Sequence, residues 1–290
     1  MNAAPDGLVG LLLDPLAFPF FVRALAASAI VGVVCAVVGS YLVLRGLAFM
    51  GDALSHAAFP GVVIAYILKL PFYLGAGVAA IATALAIGWV TRRGRLRGDT
   101  AIGVLFAGMF ALGIFLFSRI PNYVGDLFGF LFGEVLGIGL GDLAGLAILG
   151  FLVLLVVAAF WKELLYATFD PLGAAASGLR VARLDDLFLV VVALTIVVSL
   201  QAVGIILVVA MLITPAATGQ LLASSFGRLV MVAVAVGIVG PVIGLYASYW
   251  LDAASGATIV LVETAIFAVA LLAKGGRRRS GAERAATTAR

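Results

Sequence analysis

Apolar residues run along this chain in stretches of about 20 positions, separated by short polar or charged connections. A helix needs about 20 apolar residues to cross a bilayer, and the period-two alternation of outer-membrane barrels is absent. The pattern predicts nine spans, at about residues 21–44, 52–70, 72–90, 100–117, 143–161, 187–202, 205–222, 229–250 and 258–273. The predicted fold class is therefore all-α, a polytopic inner-membrane helical bundle of about 8–9 transmembrane helices, with one transmembrane domain at 21–273.

The two ends differ from this bundle. Residues 1–20 are rich in proline and aspartate and are interpreted as an interfacial lead-in. They lack the basic region of a signal peptide, so we expect no processing there. Residues 274–290 are basic and rich in small residues, which predicts a disordered tail.

Composition agrees with the pattern. Hydrophobic residues make up 64% of the 290 positions, charged residues 11%, and the mean hydropathy is +1.26. A soluble domain of this size cannot bury so much apolar surface, so the chain is predicted to be an integral membrane protein. Its single cysteine, Cys35, excludes an intrachain disulfide and a thiolate-built metal site.

The net charge of +4 does not indicate nucleic-acid binding, because most of the 18 lysines and arginines lie in short connections and in the tail. Such residues orient a membrane protein by remaining cytoplasmic. Placing the 91–98 connection and the C-terminus inside puts most basic residues on one side. Asp126, Glu134 and Asp142 then fall outside, where they either dock a partner, attract cations or form a solvated loop.

The most polar turn within a predicted span is at residues 51–61 and holds His56, the only histidine of the chain. On a helix Asp52 and His56 are i and i+4, so their side chains point the same way, with Ser55 beside them. Pro60 removes the helical donor from the carbonyl of His56. Asp52, His56 and Ser55 are therefore the predicted ligands of a borderline divalent metal such as zinc or manganese. The alternative is that Asp52 is a helix N-cap and His56 a structural residue, while Ser55 bonds back to a helix carbonyl.

Two later spans also carry unusual residues. In the seventh, Pro215 leaves the carbonyl of Met211 without its helical donor. The segment with Met211, Thr214 and Pro215 is either a kink or gate lining a pathway, or a packing kink in which Thr214 bonds backwards. In the ninth span Glu263 is a costly intramembrane carboxylate. It either lines the pathway, pairs with a neighbour or lies near an interface.

Four motifs, in order along about residues 18–273, resemble the membrane permease subunit of bacterial ABC importers for manganese, zinc or iron. They are 39–45 (GSYLVLR) leading to 51–56 (GDALSH), 126–133 (DLFGFLFG), 169–178 (FDPLGAAASG) and 203–218 (VGIILVVAMLITPAAT). The resemblance implies a homodimer on two cytoplasmic ATP-binding subunits, supplied by an extracytoplasmic metal-binding protein. The chain has no Gly-x-x-x-x-Gly-Lys-[Ser/Thr] loop, so we expect ATP hydrolysis on the partner chains, no enzyme activity here and no permanently bound cofactor.

The resemblance also assigns roles to residues. It places Asp52 and His56 at the ion, and two copies would give four side-chain ligands where one copy gives too few. It makes 169–179 a coupling helix against the ATPase. There Phe169 opens the motif, Asp170 is the N-cap, Pro171 the first helical residue and Gly178 the end. A plain amphipathic connector is the alternative.

The predicted function is thus the permease of an ATP-driven importer that moves a divalent transition metal by alternating access. Ligands without thiolates accept manganese, zinc or ferrous iron alike, and the Pro60-Gly61 ending resembles the manganese/iron branch. The alternative function is a stand-alone secondary cation carrier without an ATPase, for which we find no inverted repeat. An intramembrane metalloprotease is disfavoured because His-Glu-x-x-His is missing. The expected surroundings are membrane lipid, with no nucleic acid.

Overall fold

The computed structural model describes Gly10 and residues 13–94, 98–120 and 135–288, with side chains described as far as Lys274 except at positions 135 and 201. The described residues contain no strand. Their α-helices are α1 (Pro19–Leu44), α2 (Met50–Ala57), α3 (Phe59–Leu68), α4 (Phe72–Gly94), α5 (Gly98–Phe117), α6 (Leu140–Ala159), α7 (Trp161–Phe169), α8 (Pro171–Ala176), α9 (Val181–Leu222), α10 (Phe226–Leu251) and α11 (Ser255–Thr288). Short 3₁₀ helices lie at Pro15–Ala17 and Val135–Gly137.

Eight segments of the described chain are long and apolar enough to cross a membrane, and they match eight of the nine predicted spans. They include Met50–Leu68, in which α2 and α3 act as one span. The remaining predicted span, 187–202, lies in the first part of α9 and runs into the next one. The all-α bundle is therefore confirmed, and the sixth and seventh predicted spans follow each other across a kink at Gly204 within the 42-residue α9.

The long helix α9 is the centre of the bundle. It packs most extensively against α1 and also contacts α2, α4, α6, α10 and α11. Its buried face carries small and branched apolar side chains such as Val192, Ile196 and Leu207. By contrast, α5, α6 and the first 20 residues of α11 bury only a small share of their apolar surface within one copy. Those faces are left for lipid or for another chain, as in other membrane helices.

The described residues include only parts of the termini and of the outer acidic segment. Residues 1–9 and the 126–133 motif, with Asp126 and Glu134, lie outside the described residues. At the other end, α11 continues to Thr288, beyond Lys274, where the sequence predicts a disordered tail. The physical reason for a helix there is local: alanine, arginine and glutamate in the tail are good helix formers.

Helices α3 and α4 approach so closely that their backbones touch. A Cβ atom on Gly75 would meet the carbonyl oxygen of Gly61 and lie 2.6 Å from the Cβ of Ala65. Gly77, on the same helix, has nothing within 4 Å of its Cβ position. Close approach of membrane helices at small residues is a major source of their packing energy.

These two glycines provide a matched test of the helix contact. Gly75→Ala should destabilise the folded protein by about 1–3 kcal/mol, because the added methyl overpacks the α3–α4 contact. Gly77→Ala should be neutral or stabilising by up to about 1 kcal/mol, because alanine favours the helix. Thermal unfolding of both variants in detergent measures this. Equal melting temperatures for the two would contradict the contact.

Candidate metal centre

The predicted metal turn forms as a short helix with a break after it. Helix α2 holds Asp52 in its first turn and His56 in its last, and Ala58 separates it from α3. Pro60 stands at the start of α3, where a missing N–H costs least. The break at Ala58 therefore comes two residues after His56, at the C-terminal end of α2.

Asp52 and His56 face each other as the i, i+4 spacing predicts. Asp52 Oδ1 lies 3.5 Å from His56 Nε2. The side chain of Asp52 is 49% exposed and that of His56 23% exposed, within a segment long and apolar enough to cross a membrane. A half-exposed carboxylate beside an imidazole at that position can receive a cation. It also presents an open side to a second molecule.

Two phenylalanines of α5 hold the imidazole in place. The ring of His56 lies edge-to-face against Phe106 and Phe110, with centroids 5.5 and 5.2 Å apart. Phe110 also contacts Phe59, at the start of α3. Sequence analysis missed these residues, although their i, i+4 spacing on one span was a usable signal. They limit the rotation of His56 and leave Nε2 directed towards Asp52.

Ser55 does not join the pair. It is fully buried, and its hydroxyl donates to the carbonyl of Gly51 at 2.8 Å. This is the back-bond that serine makes inside a helix. Ser55 therefore faces the bundle while Asp52 is half-exposed, and we do not retain it as a metal ligand.

The 211–215 segment of α9 lies close to the start of α2, at Gly51. Leu212 of α9 packs on Gly51, and its carbonyl oxygen packs against the backbone of Gly39. Met211 is fully buried and Thr214 half-buried. The structure thus brings the predicted gate segment next to α2.

The backbone break in α9 is not at Pro215. Within this helix the non-helical residue is Gly204, with φ 77° and ψ 168°. A left-handed φ of this kind favours glycine because it has no Cβ. The break at Gly204 falls between the predicted spans 187–202 and 205–222, and the kink at Pro215, inside the second of them, stays a prediction.

Glu263 is placed elsewhere in the bundle. It is fully buried, and neither carboxylate oxygen has a hydrogen-bond partner among the described residues. Its Cγ lies against Gly240 of α10, at 2.7 Å from the position a Cβ would take. Helix α11 packs on α9 and α10, whereas α2 packs on α4, α5 and α9. The structure does not bring Glu263 to Asp52 and His56, and α9 is the element that both sites share.

The predicted coupling segment forms as the sequence indicates. The backbone N–H of Gly173 donates to Asp170 Oδ1 at 2.8 Å, so Asp170 caps α8, with Pro171 as its first residue. Gly178 closes the segment with φ 90°. Phe169 and Leu172 are 64% and 83% exposed. Two large apolar side chains are thus exposed on either side of Asp170, Phe169 at the end of α7 and Leu172 in the first turn of α8.

Among the described residues no group of three or more histidine, cysteine, aspartate or glutamate side chains lies together. The described part of one copy therefore offers two candidate side-chain ligands, fewer than the four that close a structural zinc site. An incomplete, half-exposed pair inside a bundle of membrane-spanning helices is typical of an integral membrane transport protein rather than a structural metal site.

Comparison with known proteins agrees with this class. Residues 17–274 match the ABC 3 transport family, and the chain belongs to that family. It is 47% identical over 255 residues to the manganese transport system membrane protein MntC of Listeria innocua, covering 88% of this chain and 91% of that protein. It is 43% identical over 265 residues to the chelated iron transport system membrane protein YfeD of Yersinia pestis, covering 91% and 89%.

A solved structure gives the same answer. PsaBC from Streptococcus pneumoniae in complex with Fab matches with a TM-score of 0.81 and 37% sequence identity, covering 91% of this chain and 95% of that one. The resemblance inferred from the motifs is confirmed. The chain is a multi-pass membrane permease subunit of the ABC metal-transport type, and a transport subunit rather than an enzyme.

Proposed function

We propose that this chain is the permease of an ATP-driven importer that moves manganese, ferrous iron or zinc across the cytoplasmic membrane by alternating access. The observation that carries the proposal is the half-exposed Asp52–His56 pair within a membrane-spanning segment. Carboxylate and imidazole suit these divalent ions without binding any of them as tightly as a thiolate cage. Manganese stands first because several relatives of this chain are named as manganese transport proteins.

The working unit is a homodimer in which two α2 helices face each other. Asp52 and His56 of one copy leave the ligand set incomplete, and the exposed half of Asp52 is free to meet a second copy. Two pairs supply four side-chain ligands, enough for zinc, with water or carbonyls completing manganese. The ion can still be released, because the protein supplies only a few of its ligands.

In this homodimer the α7–α8 segments of the two copies dock two cytoplasmic ATP-binding subunits. An extracytoplasmic metal-binding protein delivers the ion. Exposed Phe169 and Leu172 support the first contact, since apolar side chains on a rigid turn fit a cleft. The C-terminus is then cytoplasmic, on the same side as the basic connections. Met211, Thr214 and Pro215 border the pathway beside α2, and Glu263, on α11, belongs to its gate.

The test of this function is uptake into proteoliposomes that contain the permease, its ATP-binding subunits and its metal-binding protein. We expect uptake of manganese with ATP and none with a non-hydrolysable analogue, and zinc and ferrous iron are offered in parallel. Uptake that continues after the ATP-binding subunits are omitted would instead establish a secondary carrier. Absence of uptake for all three metals would exclude the importer.

The cap of α8 offers a narrower prediction. Asp170→Ala removes the acceptor of the Gly173 N–H and should destabilise this turn by about 1 kcal/mol. We expect weaker co-purification with the ATP-binding subunits and lower uptake. Asp170→Asn is the control, because asparagine caps as well and should retain both. Equal loss in the two variants would show that the charge, not the cap, matters.

A further inference from the structure

A single arginine joins three parts of the bundle at one end. Arg45 follows α1 directly, and its side chain is only 11% exposed. Its Nη1 donates to Asp185 Oδ1 of α9 at 2.7 Å, and its Nε donates to Thr168 Oγ1 of α7 at 3.0 Å. The guanidinium also lies 4.4 Å over the ring of Phe188. One side chain therefore contacts α7 and α9 from the end of α1.

An aromatic cluster strengthens the same junction. Tyr41 packs against Phe226 and Trp161, with ring centroids 4.7 and 5.7 Å apart. The hydroxyl of Tyr41 donates to the carbonyl of Trp161, the first residue of α7, at 3.3 Å. Helix α7 is thus held to α1 at its start by Tyr41 and near its end by Arg45.

The position of Arg45 along the chain makes this junction relevant to transport. Its partner Thr168 lies two residues before Asp170, the cap of the proposed docking turn. In the other direction a tight link leads to α2: Gly46 has φ 69°, and the N–H of Leu47 donates to Leu42 at 3.0 Å. Because this connection is short and hydrogen-bonded, a movement of Arg45 should also move α2, the helix that carries Asp52 and His56.

We infer that Arg45 is a positioning residue that transmits movement of the α7–α8 segment to the metal-bearing helix α2. The inference rests on the proposed function. The planar guanidinium suits it, because it bonds two groups in fixed directions where an ammonium acts as a point charge. Its Nη2 is buried without a hydrogen-bond partner in the described part of the chain, so a donor is available for a second bond when α7 shifts.

A second arginine–aspartate pair provides a control, because its aspartate, Asp186, directly follows Asp185 in α9. Arg92 of α4 pairs with Asp186 of α9 at 2.8 Å, and both side chains are more than a third exposed. This pair joins α4 to α9 and includes no residue of α7. It therefore reports the general effect of losing an ion pair on α9 without affecting the proposed coupling.

The experiment uses the complete complex in proteoliposomes and measures metal-binding-protein-stimulated ATP hydrolysis and manganese uptake in the same sample. Arg45→Gln, Arg45→Lys and Thr168→Val are compared with Arg92→Gln. We expect the three test variants to co-purify with the ATP-binding subunits while uptake per ATP falls about tenfold in Arg45→Gln. Arg92→Gln should stay within about twofold of the parent. Thr168→Val, which removes one hydroxyl, decides the matter if Arg45→Gln does not assemble.

An unchanged ratio of uptake to ATP hydrolysis in Thr168→Val and in whichever Arg45 variants assemble would overturn the inference. An equal fall in Arg92→Gln would overturn it too, since the effect would then be a general weakening of α9. These outcomes differ from failure of the proposed function, in which the parent complex itself shows no ATP-dependent uptake of metal.

Discussion

His56→Ala and Asp52→Ala should each lower manganese uptake by about 100-fold or more, since loss of groups that merely support a metal ligand already costs 10–100-fold. Each variant removes one of the two side-chain ligands that a copy provides, and in a homodimer the loss is doubled. The measurement is initial uptake at several metal concentrations, together with thermal stability and co-purification with the ATP-binding subunits.

Ser55→Ala separates the two interpretations of this turn. The sequence places Ser55 beside the pair, whereas the structure has its hydroxyl bonded back to Gly51. We therefore expect Ser55→Ala to keep uptake within about threefold, because it removes only a local helix bond. If His56→Ala and Asp52→Ala assemble and transport normally, the pair is only structural and the ion passes elsewhere.

Glu263→Met should raise stability while lowering transport. Glu263 has no hydrogen-bond partner in the described part of the chain. An unsatisfied buried polar group costs about 1–3 kcal/mol, so an apolar side chain of similar size should stabilise the protein by that order. If the residue serves the gate, uptake should fall by about tenfold or more in the same variant, the usual conflict between stability and activity. Melting temperature and uptake are measured on one preparation.

Glu263→Gln is the matched control for this result. Glutamine keeps the shape and the polarity but cannot ionise, so it shows whether the negative charge is required. A variant Glu263→Met that is more stable and fully active would show that Glu263 has no part in the gate. A loss of stability in Glu263→Met would instead point to a hydrogen bond that the carboxylate makes in another conformation.

The local elements followed directly from the sequence. Apolar runs of sufficient length set the spans, because backbone groups within a bilayer must bond inside their own helix. Asp170, Pro171 and Gly178 specified a short capped helix, since each residue acts on its own few neighbours. The i, i+4 spacing of Asp52 and His56 required no partner from elsewhere in the chain.

The remaining features depend on contacts between distant segments, and only the tertiary structure decided them. The junction of Arg45 with Thr168 and Asp185 spans separations of 123 and 140 residues, which no local pattern records. The packing of Phe106 and Phe110 against His56 is likewise a contact between segments that are distant in the sequence.

The sequence by itself thus determined the membrane bundle, its family and the pairing of Asp52 with His56, because spans, caps and helix faces arise from residues within a few turns of each other. It left open whether Ser55 joins the pair or bonds backwards, and it set a boundary between two spans at 202–205 without the left-handed conformation of Gly204 that forms it. Burial decides whether a serine bonds backwards, and a glycine breaks a helix only where packing holds it in a left-handed conformation. Those choices depend on neighbours that folding alone brings together.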